Sequence, residues 1–160
     1  MTKETILILD NEPYIQWSLK ALLETEKYLP ITADTIEIAL NHFSTYRISG
    51  LITEYRIDQF CTLDAIRNLK KRFPGLYVMM LTNGEVEGSQ YEEIMNAGVD
   101  DFFTKPFSSE KVLLHLKKGL KQRDILLQKN RLEQELNRVA KRGESQGVQV
   151  EEGLPSMSLI

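Results

Sequence analysis

Four positions in this 160-residue chain carry side chains suited to holding a phosphoryl group or a cation, and each follows an apolar run. Asp10, with Asn11 and Glu12, follows Ile6 to Leu9; Glu54 follows Leu51 to Thr53; Thr82, with Asn83, follows Leu76 to Leu81; Lys105 follows Val99 to Thr104. A carboxylate at the end of a buried run is seldom placed there for packing, because an uncompensated buried charge is costly. If the runs lie side by side, carboxylates, a hydroxyl and an ammonium converge on one spot. The question is whether the chain brings them together.

Five strand-length apolar runs can do so: the four above and Leu29 to Ala33. Most are rich in Val, Ile, Phe or Tyr, and none alternates cleanly, so they read as buried parallel strands. Between them apolar residues recur at helical spacing: Ile15, Leu19, Leu22 and Leu23; Ile36, Leu40 and Phe43; Leu63, Ile66, Leu69 and Phe73; Tyr91, Ile94 and Met95; then Val112, Leu113, Leu116 and Leu120. Pro13 suits a first helical turn, Pro74-Gly75 stops the third helix, Ala97-Gly98 closes the fourth, and Ser108 and Ser109 flank the start of the fifth. The order predicts an α/β, doubly wound (βα)5 fold with a five-stranded parallel sheet. In such a sheet ligands bind where the strands end and the following loops begin, which is where the four polar positions fall.

The runs Ile6-Leu-Ile-Leu-Asp-Asn-Glu-Pro13, Thr32-Ala33, Met79-Met-Leu-Thr82 and Ala97-Gly-Val-Asp-Asp-Phe-Phe-Thr-Lys-Pro-Phe107 resemble the receiver domain of two-component response regulators over roughly residues 4 to 120. The resemblance implies a flavodoxin-like receiver fold. It also implies a site in which an acidic pair after the first strand and an aspartate after the third bind Mg²⁺, and that aspartate accepts a phosphoryl group from a histidine kinase. A Thr or Ser after the fourth strand and a Lys after the fifth then contact the phosphoryl oxygens. Asp10, Thr82 and Lys105 match these positions. Phe102 falls where the family often has a switch aromatic, and an ordinary core aromatic is the open alternative. Lys105-Pro106 falls where receivers often have a cis peptide.

Two departures strike the chemistry. Asn11 replaces the second acid of the pair, and Glu54 stands at the phosphoacceptor position. The family's Met-Pro-x-x-x-Gly loop becomes Ile57-Asp58-Gln59-Phe60-Cys61-Thr62, and Asn83 stands where a small residue is usual. Mg²⁺ prefers anionic oxygen ligands in near-octahedral geometry, so Asp10 and Glu54 with a neutral Asn11 predict weak or absent metal binding. The extra methylene of glutamate moves the nucleophilic oxygen by roughly 1 to 1.5 Å, an error that costs about a hundredfold in rate. The expectation is an atypical receiver, not an enzyme, acting in signal transduction without ordinary phosphorylation and with no cofactor beyond weakly held Mg²⁺. Glu54 either imitates a phosphorylated aspartate by engaging Lys105 and Thr82 or is a carboxylate satisfied in a salt bridge, and the sequence leaves both open. A functioning phosphoacceptor is the competing reading.

The net charge of −3 conceals an uneven distribution. Residues 111 to 142 hold ten Lys and Arg against three acids, whereas residues 1 to 110 hold ten against seventeen. Ile125, Leu132, Leu136 and Val139 continue the helical spacing, with Lys129 completing the seam, a short coiled-coil pattern of about two heptads. The chain divides on this reading into a receiver over 1–120, a basic helical extension over 121–142 and a flexible tail over 143–160. Expected partners are proteins: a histidine kinase, another signalling protein, or a second copy of the chain. No reading module for DNA is recognisable, which leaves nucleic acid a minor alternative through the basic helix. No apolar run approaches the roughly 20 residues of a membrane helix, and the lone Cys61 cannot form an internal disulfide, so a cytoplasmic location without membrane association is expected. His42 and His115, on separate helices, carry no expected ligand role, Cys61 reads as a loop or helix-start residue, and Met79 and Met80 as core.

Overall fold

The computed structural model describes residues 3–145. Five parallel strands form the sheet: β1 (Thr5–Leu9), β2 (Leu29–Ala33), β3 (Gly50–Thr53), β6 (Tyr77–Thr82) and β7 (Asp101–Thr104), in spatial order β2-β1-β3-β6-β7. Two short strands, β4 (Arg56–Ile57) and β5 (Phe60–Cys61), lie between β3 and β6 in the chain and outside the sheet. The helices are α1 (Pro13–Thr25), α2 (Ile36–Thr45), α3 (Leu63–Arg72), α4 (Gly88–Ala97) and α5 (Ser109–Ser145). The predicted doubly wound α/β fold is therefore the observed one. Among the described residues no helix is long and apolar enough to cross a membrane.

The two faces follow from the two-residue period of each strand. Leu7, Leu9, Leu51, Val78 and Met80 point to one side and pack with Ala39 and Phe43 of α2, Ile66 and Leu69 of α3, and Ile94 of α4. Ile6, Ile8, Ile52, Met79 and Leu81 point to the other and pack with Ile15, Leu19 and Leu23 of α1 and Val112, Leu116 and Leu120 of α5. Because both faces are covered, the central strands carry no polar alternation.

Local signals act where the sequence places them. Pro13 opens α1, the Thr35 hydroxyl accepts from Ile38 N at 3.1 Å at the start of α2, and Glu87 and Gln90 form a reciprocal capping box on α4. Gly98 ends α4 at φ 111°, a left-handed conformation that glycine adopts without penalty. The Lys105-Pro106 peptide is cis.

Several expectations need correction. β2 is an edge strand with Leu29 47% exposed, not a fully buried one, because only β1 pairs with it. In α2 the core is reached by Ala39 and Phe43, while Leu40, predicted to face in, is 38% exposed, since a helix of this length fixes one stripe and Ala39 already fills it. Tyr91 of α4 is likewise exposed. Leu76 and Val99 to Asp100 lie before their strands rather than in them. The altered loop after β3 holds an unpredicted hairpin, in which β4 pairs antiparallel with β5. Its tip, Asp58, has φ 57°, a conformation that Asp tolerates better than most residues.

One compact unit ends at Asp124 and a second begins at Ile125, although α5 is one helix through Ser145. The helix thus continues past Arg142, where the sequence predicts a tail; residues 146–160 of that tail lie outside the described residues.

Candidate functional site

The strand order places β1 beside β3 and puts β6 between β3 and β7, so the residues after these strands line the carboxyl edge of the sheet and the Lys105 side chain reaches back from β7 to the ends of β1 and β3. Glu54 is set by its own backbone: its N–H donates to Leu9 O at 3.0 Å, and its carbonyl accepts from the Thr53 and Thr62 hydroxyls, each at 2.9 Å. Lys105 is set by its N–H to Thr82 O at 2.8 Å, which continues the β6–β7 ladder beyond the last strand residue. Asp10 is set by its N–H to Ala33 O at 3.1 Å, and the Gln16 side-chain amide donates to the Asp10 carbonyl.

At the centre stands the Lys105 ammonium. It donates to Asp10 Oδ2 at 2.8 Å, Glu54 Oε2 at 2.9 Å and Glu12 Oε1 at 3.2 Å. The Lys105 side chain is 5% exposed, Asp10 4% and Glu54 8%, whereas Glu12 is 45% exposed. The remaining oxygens of the two buried acids are also engaged: Glu12 N–H donates to Asp10 Oδ1 at 2.9 Å, and Tyr55 N–H donates to Glu54 Oε1 at 2.6 Å. At the rim, the Asn83 amide donates to Glu12 Oε1 at 2.8 Å and the Asn11 amide to Asp58 Oδ1 at 2.9 Å.

The electrostatics follow from this geometry. Burial pushes the Asp10 carboxyl above its ordinary value, outweighing the hydrogen bonds from Lys105 and the Glu12 N–H. Burial also acts against the Lys105 charge, but its hydrogen bonds to Asp10 and Glu54 prevail and hold it above the ordinary lysine value. Glu12 lies at the wet rim, and the Asn83 amide, helped by Lys105, holds its carboxyl below the ordinary range.

The structure thus brings Asp10, Glu54 and Lys105 together and leaves two named residues aside. Asn11 points its amide at the hairpin tip. Among the described residues no hydrogen bond joins the Thr82 hydroxyl to Glu54 or Lys105; Thr82 enters the network only through its carbonyl. Thr82 also lines a cleft of about 340 Å³ with Glu54, Arg56, Asn83, Val86 and Gln90. Phe102 is half-buried and meets Tyr91 edge-on at 5.9 Å. Sequence reasoning placed Glu12 beside the acids without giving it a role. It missed Asp58, which only the hairpin brings back toward Asn11.

A divalent ion does not fit these donors as they stand. Mg²⁺ needs oxygens at about 2.0 to 2.1 Å in near-octahedral array. Asp10 Oδ2 and Glu54 Oε2 are held by one ammonium and their other oxygens by backbone N–H groups, while the Asn11 amide nitrogen donates to Asp58. Among the described residues no group of three or more His, Cys, Asp or Glu is disposed to hold a metal. Each Glu54 oxygen accepts one hydrogen bond, Oε1 from the Tyr55 N–H and Oε2 from Lys105.

Comparison with known proteins adds an independent line. The family model for the response regulator receiver domain matches residues 6–117. The chain is 28% identical over 121 residues to the probable transcriptional regulatory protein TcrX of Mycobacterium tuberculosis, covering 76% of this chain and 51% of that protein. It is similar to the beryllofluoride-activated NtrC4 receiver domain dimer, with 26% identity, a TM-score of 0.69, and coverage of 74% of this chain and 98% of the other. A CheY-like receiver domain protein from Methanospirillum hungatei shares the fold with a TM-score of 0.72 at 24% identity, over 77% and 98% of the two chains. The chain spans about half the length of the curated relatives it matches.

Proposed function

Because the chain belongs to the response regulator receiver domain family, we propose that it serves two-component-type signal transduction as an atypical receiver, a protein-interaction module whose output is independent of phosphorylation. The observation that carries this reading is the engagement of Glu54. The side chain at the acceptor position spends one oxygen on Lys105 at 2.9 Å and the other on the Tyr55 N–H at 2.6 Å. Phosphoryl transfer depends on positioning and on neutralising charge with metal and cation. Here the cation is already committed to carboxylates, and the donors do not fit the metal.

Of the two roles left open for Glu54, the satisfied carboxylate is the better supported. Imitation of a phosphorylated aspartate needs contacts to both Lys105 and Thr82, and only the first is present. One carboxylate charge also falls short of the −1.5 to −2 or so of a phosphoryl group. The partners on this reading are signalling proteins, including a histidine kinase, rather than a membrane or nucleic acid, and the protein is not an enzyme. A second copy is a further partner. Within the unit from Ile125, the side chains Ile125, Leu132, Leu136 and Val139 are 58%, 59%, 70% and 59% exposed and are spaced by seven, four and three residues, the seam pattern that a paired helix follows. We place the receiver over 1–120 and the basic helical extension over 121–142.

The test is incubation with Mg²⁺ and a small phosphodonor, followed by intact-mass measurement. The expected spectrum is that of the unmodified chain. A stable gain of one phosphoryl group sinks the proposal in favour of a functioning acceptor, and peptide mapping would then say whether Glu54 or Asp10 carries it.

A further inference from the structure

We propose that the helix from Ile125 pairs with a second copy of itself in antiparallel orientation, setting Ile125 opposite Leu136 of the other copy and Lys129 beside its Glu135. The proposal rests on the reading above that a second copy is a partner, and it adds the orientation, the register and the residues that decide them.

The apolar stripe needs cover. Ile125, Leu132, Leu136 and Val139 are 58% to 70% exposed, and among the described residues the unit from Ile125 contains only this helix. A protein helix draws most of its stability from packing an amphipathic face, not from propensity. With Lys129 between Ile125 and Leu132, the spacing makes 125, 132 and 139 the d positions of a heptad and 129 and 136 the a positions. The flanking g positions are Gln128, Glu135 and Arg142, and the e positions are Leu126, Glu133 and Ala140. Gly143, the next a position, has no side chain to continue the seam.

Charge decides the orientation. In a parallel pair each a residue meets its own equivalent, so two Lys129 ammoniums would face each other in the seam. The flanking pairs would be Gln128 with Glu133 and Glu135 with Ala140, none of opposite charge. In an antiparallel pair a meets d and g meets g. Setting Ile125 against Leu136 then places Lys129 against Leu132, with its ammonium next to Glu135 of the other copy, and the two-fold symmetry makes each contact twice. Glu135 is 56% exposed and accepts from Arg138 of its own helix at 2.8 Å. Sliding one heptad in one direction sets Ile125 against Gly143, Lys129 beside Arg142 and Glu135 against Glu135, so like charges meet. Sliding in the other sets Ile125 against Lys129 and leaves Leu132 and Leu136 without an apolar partner. One arrangement therefore joins apolar layers to opposite charges.

Disulfide trapping of the full chain tests orientation and register. In a Cys61→Ala background, Ile125→Cys and Leu136→Cys are oxidised in glutathione buffer, each alone and as an equal mixture, and run on non-reducing gels. The mixture should yield at least about tenfold more disulfide-linked dimer than either variant alone. Equal yields from the unmixed variants indicate parallel pairing and overturn the proposal, as does the absence of linked dimer from the mixture.

A second measurement keeps Cys61 in place. By sedimentation equilibrium the parent should dimerise with a midpoint at or below about 1 mM chain, and a pure monomer at that concentration overturns the proposal. Lys129→Glu and Glu135→Lys should each weaken the dimer by about fivefold, since two exposed ion pairs turn to repulsions, and the double variant should recover the parent value. A double variant as weak as the single ones overturns the pairing of Lys129 with Glu135. Trapping in the parallel sense removes the orientation but keeps a second copy as partner, and a phosphoryl gain read by mass changes neither result, so failure of this inference is distinguishable from failure of the proposed function.

Discussion

The two edges of the sheet each hold a polar cluster, one with a buried centre and one part-exposed around the buried Tyr77, and they solve the problem of burial differently. At the carboxyl edge the Lys105 ammonium holds Asp10, Glu54 and Glu12. At the amino edge the Tyr77 hydroxyl donates to Asp101 Oδ2 at 2.5 Å, His115 Nδ1 lies 3.2 Å from Asp101 Oδ1, and Asp100 takes Lys70 Nζ at 2.9 Å and the Val78 N–H at 2.8 Å. The first cluster shares one cation among several anions with little water. The second keeps its deepest group neutral: burial, then the bond to Asp101, push the Tyr77 hydroxyl far above its ordinary range. A cluster that depends on one charge should fail when that charge is removed, whereas one built on a neutral phenol should degrade in steps.

The largest effect that can break this comparison is Lys105→Met. It strands two carboxylates that are 4% and 8% exposed, and removing one partner of a buried pair typically costs about 3 to 5 kcal/mol. Urea unfolding at pH 7 without metal measures it. A cost under about 1 kcal/mol, the level of an exposed salt bridge, would mean the site is not held by the lysine.

Next is Gly119→Ala, which tests packing at the other edge. A Cβ at this position would overlap Cε1 and Cδ1 of the Tyr77 ring, and the ring cannot yield without disturbing its bond to Asp101. Overpacking of this kind costs about 1 to 3 kcal/mol, more than the roughly 1 kcal/mol that alanine returns in a helix interior. Lower stability by urea unfolding is expected; a stabilised variant would show the ring to be freely movable.

Tyr77→Phe is milder, at about 1 kcal/mol for one hydrogen bond, but it also carries a pH signature. Tyr77 and Lys105 both hold their protons more tightly folded than unfolded. Their contributions are fully present below the ordinary tyrosine and lysine values of about 10 and are lost as the pH rises above them. The parent should therefore lose melting temperature above about pH 10, and Tyr77→Phe should lose less over the same range. An identical alkaline slope in the two proteins would remove Tyr77 from the account.

The same contrast explains what could be read from the sequence. Five apolar runs separated by helical spacing gave the sheet, and strand-end position alone gave Asp10, Glu54 and Lys105, because in a parallel sheet the ends of strands converge. The hairpin at Arg56–Ile57 and Phe60–Cys61 was not legible: two-residue strands carry no periodicity, and Asp58 at φ 57° has no glycine or Asn-Gly signal. Asn11 was therefore expected inward and is found bonded to Asp58. The amino-edge cluster went unread because Tyr77, Asp101 and His115 belong to three elements, and only register and helix packing bring them together.

The smallest expected effect sharpens the boundary of the charged cluster. Asn83 donates to Glu12 at 2.8 Å, and it is the main reason the Glu12 carboxyl lies below its ordinary value, yet Glu12 is 45% exposed. A carboxyl lowered on folding contributes stability above its ordinary value of about 4.3, and that contribution disappears as the pH falls through the folded value. Asn83→Ala should therefore cost about 0.5 kcal/mol at pH 7, the low end for a hydrogen bond, because water replaces the amide at an exposed oxygen. At about pH 3 the difference between variant and parent should be smaller than at pH 7, since the contribution declines once the pH falls below the ordinary carboxyl value and is gone when the folded carboxyl takes up its proton. Urea unfolding at the two pH values reads both numbers. If Asn83→Ala costs as much as Lys105→Met, or costs the same at about pH 3 as at about pH 7, Glu12 belongs to the buried core of the cluster and the division between a wet rim and a dry centre is wrong.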